Sequence, residues 1–237
     1  MIIKDSVILV TGANRGLGLA IAAAALRAGA RKIYAGARDP SALKLEGVEP
    51  LKLDVTSAED IQAAALACPD VTLLINNAGI DLGCGVTSPD ATATLRAEFE
   101  VNVLAPLELS RAFAPILARN GGGALVNILS VLSWLNAPPH GTYSVTKAAA
   151  WSMTNGLRNE LGAQGTQVVG VHVGYMDTDM TAGIDVAKAS PAAVAETILT
   201  AIEAGADEVL ADETSRYVKA SLSAERGVYL GEPRSQL

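Results

Sequence analysis

The run Val7-Ile8-Leu9-Val10-Thr11-Gly12-Ala13-Asn14-Arg15-Gly16-Leu17-Gly18 decides the fold. Four apolar residues in succession read as a strand buried on both faces, the habit of strands in a parallel sheet. The chain then turns through three glycines. Without side chains, Gly12, Gly16 and Gly18 let the backbone bend sharply and let a pyrophosphate come close. Residues 17–28 read as a helix of Leu, Ala and Ile that Gly29 ends. Its first turn offers unpaired N–H groups and the positive end of the helix dipole. Strand, GxxxGxG turn and helix in that order predict a nucleotide-phosphate cradle of Gly12, Asn14, Arg15, Gly16, Leu17 and Gly18.

The same alternation continues outward. Lys32–Ala35, Pro50–Leu53, Val71–Ile75, Ala124–Ile128, Gln167–Val173 and Asp207–Leu210 read as further strands. Helices are expected from the Ser57 cap to about Leu66, over about 92–118, over about 144–162, and from Pro191 to about Ala204. Residues from about Ser221 onward are polar and read as loose. Such a pattern implies right-handed βαβ crossovers. The expected fold is a single-domain Rossmann fold spanning residues 1–237, an α/β, doubly wound parallel sheet of about seven strands with helices on both faces.

Composition narrows the function. Half of the 237 residues are hydrophobic and 18% are charged, which excludes a disordered chain. Lys and Arg total 18 against 25 Asp and Glu, a net charge of −7 that argues against nucleic acid as a partner. Cys68 and Cys84 form no metal-like cluster, so no metal and no disulfide framework are expected. The first residues carry no apolar signal run, and no stretch approaches the ~20 apolar residues of a membrane span. A cytoplasmic protein without a membrane partner is the expectation.

The second strand ends Ala35-Gly36-Ala37-Arg38-Asp39, about twenty residues past the cradle. An acidic side chain there would take the ribose hydroxyls of NAD; an arginine fits the 2′-phosphate of NADP. Gly36 leaves space, and Arg38 and Arg15 both have the forked geometry that suits phosphate. Asp39 is the rival, as a ribose ligand. The arginines favour NADP(H).

Tyr143-Ser144-Val145-Thr146-Lys147 supplies acid–base chemistry. Residues i and i+4 of a helix share a face. An ammonium beside a phenol favours the phenolate, which lowers the phenol's pKa toward a value useful for proton transfer.

With these segments in hand, the chain resembles the short-chain dehydrogenase/reductase family over nearly its full length. Five landmarks follow the family's order: the Thr11–Gly18 turn, Asp54-Val55, Asn76-Asn77-Ala78-Gly79, Ser130, and Tyr143 with Lys147. Ser130 precedes Tyr143 by 13 residues, a common family spacing. The resemblance implies a catalytic set of Asn102, Ser130, Tyr143 and Lys147. Ser130 would stabilise charge on the substrate oxygen, with Ser133 as competitor. Tyr143 would exchange the proton. Lys147 would tune the phenol and hold the nicotinamide ribose. Asp54 and the backbone of Val55 would meet the adenine, although Asp54 reads equally as a residue preceding a helix. Asn76, Ala78 and Gly79 would line the cofactor cleft while Asn77 braces strands. Gly174 and Thr178 would lie by the nicotinamide. One detail comes from the residues themselves. Pro106, four after Asn102, has no N–H, so the helical bond to the Asn102 carbonyl cannot form. A freed carbonyl would suit a water relay to Lys147.

The chain also departs from the family. Val173 stands where proline is usual before Gly174, and only about sixteen residues separate Gly174 from Pro191. A short lid implies an open pocket, tolerant of bulky or aromatic ketones, with Trp134, His140, Tyr175, Met176 and Met180 as candidate lining. The glycine-rich ending of tetrameric members is replaced by Ala211-Asp212-Glu213-Thr214 and a charged tail. A homodimer is expected instead, paired through the Tyr143 helix with Trp151 and Met153. The activity implied is NADPH-dependent interconversion of ketones or aldehydes and alcohols, the substrate being a small carbonyl or alcohol. A non-catalytic NADP-binding regulator is the alternative from another class, and epimerisation a different reaction on the same scaffold.

Overall fold

Alternation inside the strands builds two cores at once. Val7 and Leu9 of the first strand point into one layer, Ile8 and Val10 into the other. The same division recurs at Leu74 against Leu73 and Ile75, at Leu125 against Ala124 and Val126, and at Val168 against Val169 and Val171. A period of two with both faces apolar requires a helical layer on each side.

The computed structural model describes residues 1–231. It contains a seven-stranded sheet in the order β3-β2-β1-β4-β5-β6-β7, and every pairing is parallel. The strands are β1 (Val7–Thr11), β2 (Lys32–Ala37), β3 (Glu49–Lys52), β4 (Leu73–Asn76), β5 (Ala124–Ile128), β6 (Gln167–His172) and β7 (Glu208–Leu210). The helices are α1 (Gly16–Arg27), α2 (Ala58–Ala67), α3 (Ala91–Phe99), α4 (Ala105–Arg119), α5 (Gly141–Leu161), α6 (Pro191–Glu203) and α7 (Glu213–Ser221). Helices α1 and α6 cover the core that receives Ile8, while α2, α4 and α5 cover the core that receives Leu9. Strand order reverses between β1 and β4, and a ligand crevice opens at the carboxyl ends of strands at such a point.

The long helix expected over 92–118 is three pieces in one path. Helix α3 passes through a π-helical turn, Glu100–Leu104, into α4. The Ala105 N–H donates to the Glu100 carbonyl, five residues back. Pro106 supplies the reason, because it cannot donate to Asn102 and the α pattern must be broken there. The continuous Ala91–Arg119 helix is long and apolar enough to cross a membrane by length and composition. Its buried side chains Leu109, Phe113, Ile116 and Leu117 instead fill the second core, each contributing about 1.5–3 kcal/mol.

Other differences are local. Strand β4 begins at Leu73, and the Thr72 hydroxyl just before it is bonded to both backbone groups of Val7. Helix α7, absent from the helices expected from the sequence, runs up to the start of the expected loose ending. Asp212 caps α7 by accepting from the Ser215 N–H at 2.7 Å, and a short 3-10 turn follows at Val228–Leu230. Residues 232–237 of the expected loose tail lie outside the described residues.

Candidate active site

The cradle after β1 is shaped by what its glycines lack. Gly12 and Gly16 have φ of +64° and +54°, where a side chain is strained. A Cβ on Gly18 would sit 2.3 Å from the Gly12 carbonyl oxygen and 2.5 Å from Asn77 Nδ2. Asn77 pins the turn from β4, its Nδ2 donating to the Thr11 carbonyl at 2.8 Å. The Thr11 hydroxyl takes the N–H groups of Asn77 and Ala78 at 2.9 and 3.0 Å. At the start of α1, Arg15 holds the cap position without a side-chain cap and the first turn has no acidic residue. Close-approach glycines and an uncapped helix start fit a pyrophosphate.

Arg15 itself reaches across the cleft to Asp179 at 3.1 Å, in a pair exposed on both sides and therefore weak. Arg38, just past β2, makes no side-chain hydrogen bond or ion pair among the described residues. Its rival Asp39 is committed locally, accepting from the Ser41 N–H at 3.0 Å and its hydroxyl at 2.6 Å. Gly36 serves the sheet: a Cβ there would meet Leu53 Cδ2 at 3.0 Å and the Val10 carbonyl at 3.2 Å. Asp54 accepts from the Thr56 N–H and hydroxyl at 3.0 and 2.8 Å, a turn that leads into the Ser57 cap of α2. Val55 beside it is buried.

Asn76 differs from expectation. Its side chain is buried and donates to Asn127 Oδ1 at 2.9 Å, so it ties β4 to β5 instead of facing the cleft. Gly79 does face it. A Cβ at Gly79 would lie 3.2 Å from Asn102 Oδ1 and 3.8 Å from Lys147 Nζ.

Four elements converge on the acid–base group. Tyr143 and Lys147 lie on the first turns of α5, and Ser130 follows β5. The Ser130 hydroxyl reaches the Tyr143 phenol and accepts from the Leu132 N–H at 3.1 Å. Ser133, its competitor, turns its hydroxyl back to the Ser130 N–H at 3.4 Å. Lys147 is buried, with Nζ donating to the Ile128 carbonyl at 2.8 Å and standing 5.5 Å from the Tyr143 ring centre. In the π turn, Asn102 clamps the chain after β4 on both sides, accepting from the Ile80 N–H at 2.9 Å and donating to its carbonyl at 2.8 Å. Its Nδ2 also donates to the Thr146 hydroxyl at 3.0 Å.

The electrostatics correct the expected tuning. Burial, then the Asp81 carboxylate, pushes the Tyr143 phenol above its ordinary value, with Glu98 adding to this; only the Ser130 hydrogen bond pulls it down. Lys147 is not among the groups that pull it down, and burial carries the lysine itself down to about 8. Asp81 and Glu98 were not singled out from the sequence. The signal was available, since Asp81 follows Gly79 by two residues in the loop after β4, at the ligand end of the sheet.

The expected pocket residues separate into two groups. Trp134 is 9% exposed and stacked on His172 at 3.7 Å, edge-on to Trp151, so packing occupies it rather than the pocket. Met176 packs against the first core. Tyr175 and His140 stand near each other, ring centres 6.4 Å apart, and His140 Nδ1 lies 2.6 Å from Asp81. Met180 is exposed on the segment after β6. That segment is closed at its neck, where Tyr175 and Asp177 exchange backbone bonds with Ala189. Thr178 lies over the cradle, 3.4 Å from where a Gly16 Cβ would be. The Gly174 N–H donates to Asp212 at 2.5 Å. Trp151 and Met153, expected at a dimer surface, pack within their own chain.

Comparisons with known proteins show the family. The short chain dehydrogenase family profile matches residues 6–189. An uncharacterized oxidoreductase of Staphylococcus saprophyticus is 29% identical over 218 residues, covering 85% of this chain and 92% of its own. Ketoacyl reductase HetN of Nostoc sp. is 29% identical over 225 residues, with 87% and 78% covered. Among solved structures, a short chain dehydrogenase from Burkholderia cenocepacia in complex with NADP superimposes with a TM-score of 0.92 at 39% identity, covering 95% of each chain. A Sphingobium yanoikuyae short-chain dehydrogenase in complex with NADPH gives 0.79 at 26% identity, with 98% of each chain covered. The chain belongs to the short-chain dehydrogenase/reductase family of oxidoreductases.

Proposed function

We propose that this oxidoreductase uses NADP(H) to interconvert ketones or aldehydes and alcohols. The meeting of the Ser130 hydroxyl, the Tyr143 phenol and the buried Lys147 ammonium beside the Gly79 gap carries the reading. The NADP and NADPH held by the two structural neighbours support the cofactor, as does the free Arg38 fork beside a locally engaged Asp39. Gly12, Asn14, Arg15, Gly16, Leu17 and Gly18 would hold the pyrophosphate, Arg38 the 2′-phosphate, Asp54 and Val55 the adenine, and Ala78, Gly79, Gly174 and Thr178 the nicotinamide half. When bound, the nicotinamide supplies hydride to the carbonyl carbon.

The chain's own residues handle the oxygen. Ser130 donates a hydrogen bond to the carbonyl oxygen and stabilises the negative charge that develops there. Tyr143 gives that oxygen its proton, and in the reverse direction removes it. Lys147 presents positive charge beside the phenol, although burial lowers its own pKa to about 8. Asn102 fixes the loop after β4 against α5. Leu82 and Val86 after β4 and Tyr175 and Met180 after β6 are exposed apolar side chains at the ligand end of the sheet, which supports bulky or aromatic carbonyl substrates. Absorbance of NADPH followed with aliphatic, aryl and bulky ketones tests the proposal. Consumption of NADPH with matching alcohol product is expected; tight NADPH binding with no turnover of any carbonyl would leave the regulator reading instead.

A further inference from the structure

Ser130 is held at three atoms. Its N–H faces the Ser133 hydroxyl at 3.4 Å, its own hydroxyl accepts from Leu132 at 3.1 Å, and its carbonyl accepts from the Ser133 N–H at 3.0 Å and meets His172 Nδ1 at 3.1 Å. The flanking residues are tied to β6 through backbone alone, Leu129 N–H to Val171 at 2.7 Å and Val131 N–H to Val173 at 3.0 Å. Only at Ser130 does a side chain of β6 take over. His172 is 0% exposed and lies under the Trp134 ring at 3.7 Å, with 18° between the planes. A carbonyl can only accept, so the proton of a neutral imidazole must sit on Nδ1. Nε2 is then a bare acceptor, and it has no hydrogen-bond partner. Glu208 Oε1 on β7 stands 3.5 Å from it, and Lys219 of α7 holds that carboxylate at 2.7 Å while covering Trp134. Burial, with Lys219 and Lys147 of α5, drives the ring down to about 4 against the pull of the Ser130 carbonyl and of Glu208, so the ring is neutral near pH 7.

We infer that His172 is a positioning residue for the reaction: its Nδ1–H anchors the Ser130 carbonyl and so sets where the serine hydroxyl meets the substrate oxygen. The inference rests on the role given to Ser130 above. A buried imidazole with one nitrogen used and the other unpaired is costly for packing alone. The stack of Lys219, Trp134 and His172 extends the support of Ser130 to the last described helix.

Three variants separate positioning from packing. The Nδ2 of asparagine stands where Nδ1 stands, whereas His172→Gln can imitate only Nε2 and His172→Leu neither. His172→Leu and His172→Gln should lower kcat about tenfold or more, while His172→Asn stays within about threefold of the parent. NADPH Kd should be unchanged in all three. Equal kcat loss in the leucine and asparagine variants, no loss in either, or a matching fall in NADPH affinity would overturn the inference. Long-range ¹H–¹⁵N spectra of the parent at neutral pH give a readout independent of turnover. A proton on Nδ1 is expected, and a proton on Nε2 overturns the inference. If the parent reduces no carbonyl, the proposed function fails, and the spectrum still decides the tautomer.

Discussion

Tyr143, the proton donor of the proposed reaction, has surroundings that resist its ionisation. Burial and the carboxylates of Asp81 and Glu98 keep the phenol neutral, the state needed to protonate an oxygen that gains charge. Replacing Asp81 with asparagine removes a negative charge near the phenol, so phenolate becomes easier to form. The ascending limb that phenol ionisation gives to the pH–rate profile of alcohol oxidation is expected at lower pH in Asp81→Asn than in the parent. An unmoved or raised limb contradicts the assigned influence. Arg38→Ala should raise KM for NADPH about tenfold and leave KM for NADH nearly unchanged, as loss of a charge-assisted phosphate contact predicts. Steady-state kinetics with the two cofactors check it. Residue types were legible where chemistry demands them, as at Gly18, Tyr143 and Lys147. They were illegible where only packing decides the direction of a side chain. Asn76, Trp134 and Met176 have types that suit a cleft, yet each is drawn inward by a neighbour far along the chain.

Among the elements, the π turn is the clearest case of local chemistry setting site geometry. Pro106 withholds one N–H, the helix widens by a residue, and Asn102 emerges buried with its amide around Ile80. Pro106→Ala restores the donor and allows the α pattern to continue, which would rotate Asn102 off Ile80 and Thr146. We expect kcat to fall about tenfold with NADPH Kd within about twofold, measured by turnover and fluorescence titration. Full activity in this variant would show that the turn serves packing only. The break at Pro106 was readable because proline acts through the backbone. Helix α7 was not. Its nine residues are mostly polar, with Ser215 and Val218 buried, too little apolar periodicity to signal a helix. The Asp212 cap was its one local sign.

For the whole molecule, the parallel sheet brings the glycine turn, Gly79, Ser130 and Gly174 to the carboxyl ends of β1, β4, β5 and β6, where α5 and the π turn meet them, and it does so with two cores written into one alternation. That much of the fold was legible in the first strand and its glycines. The cost of the arrangement is that polar groups are buried between the layers, and His172 shows it in the pH dependence of stability. Its folded-state value, near 4, lies below the ordinary 6.5. Above 6.5 both folded and unfolded chains carry a neutral ring. As pH falls from 6.5 toward 4, only the unfolded chain takes up the proton, so stability declines, by on the order of 3 kcal/mol in full. Thermal unfolding across this interval should show the decline in the parent and a flatter curve in His172→Asn. Identical curves would contradict the burial cause.

Asp212 ends one segment and secures another. One oxygen caps α7 through Ser215, and the other holds the Gly174 N–H where the chain leaves β6 for its lid. Two stretches separated by 38 residues therefore share a single fastening. For anyone redesigning this enzyme, the practical boundary of the active site lies beyond the loops that touch substrate. A chain trimmed before Asp212, or a fusion joined there, would free the lid's hinge without altering any residue in the cleft, and substrate preference would drift for reasons invisible from the pocket.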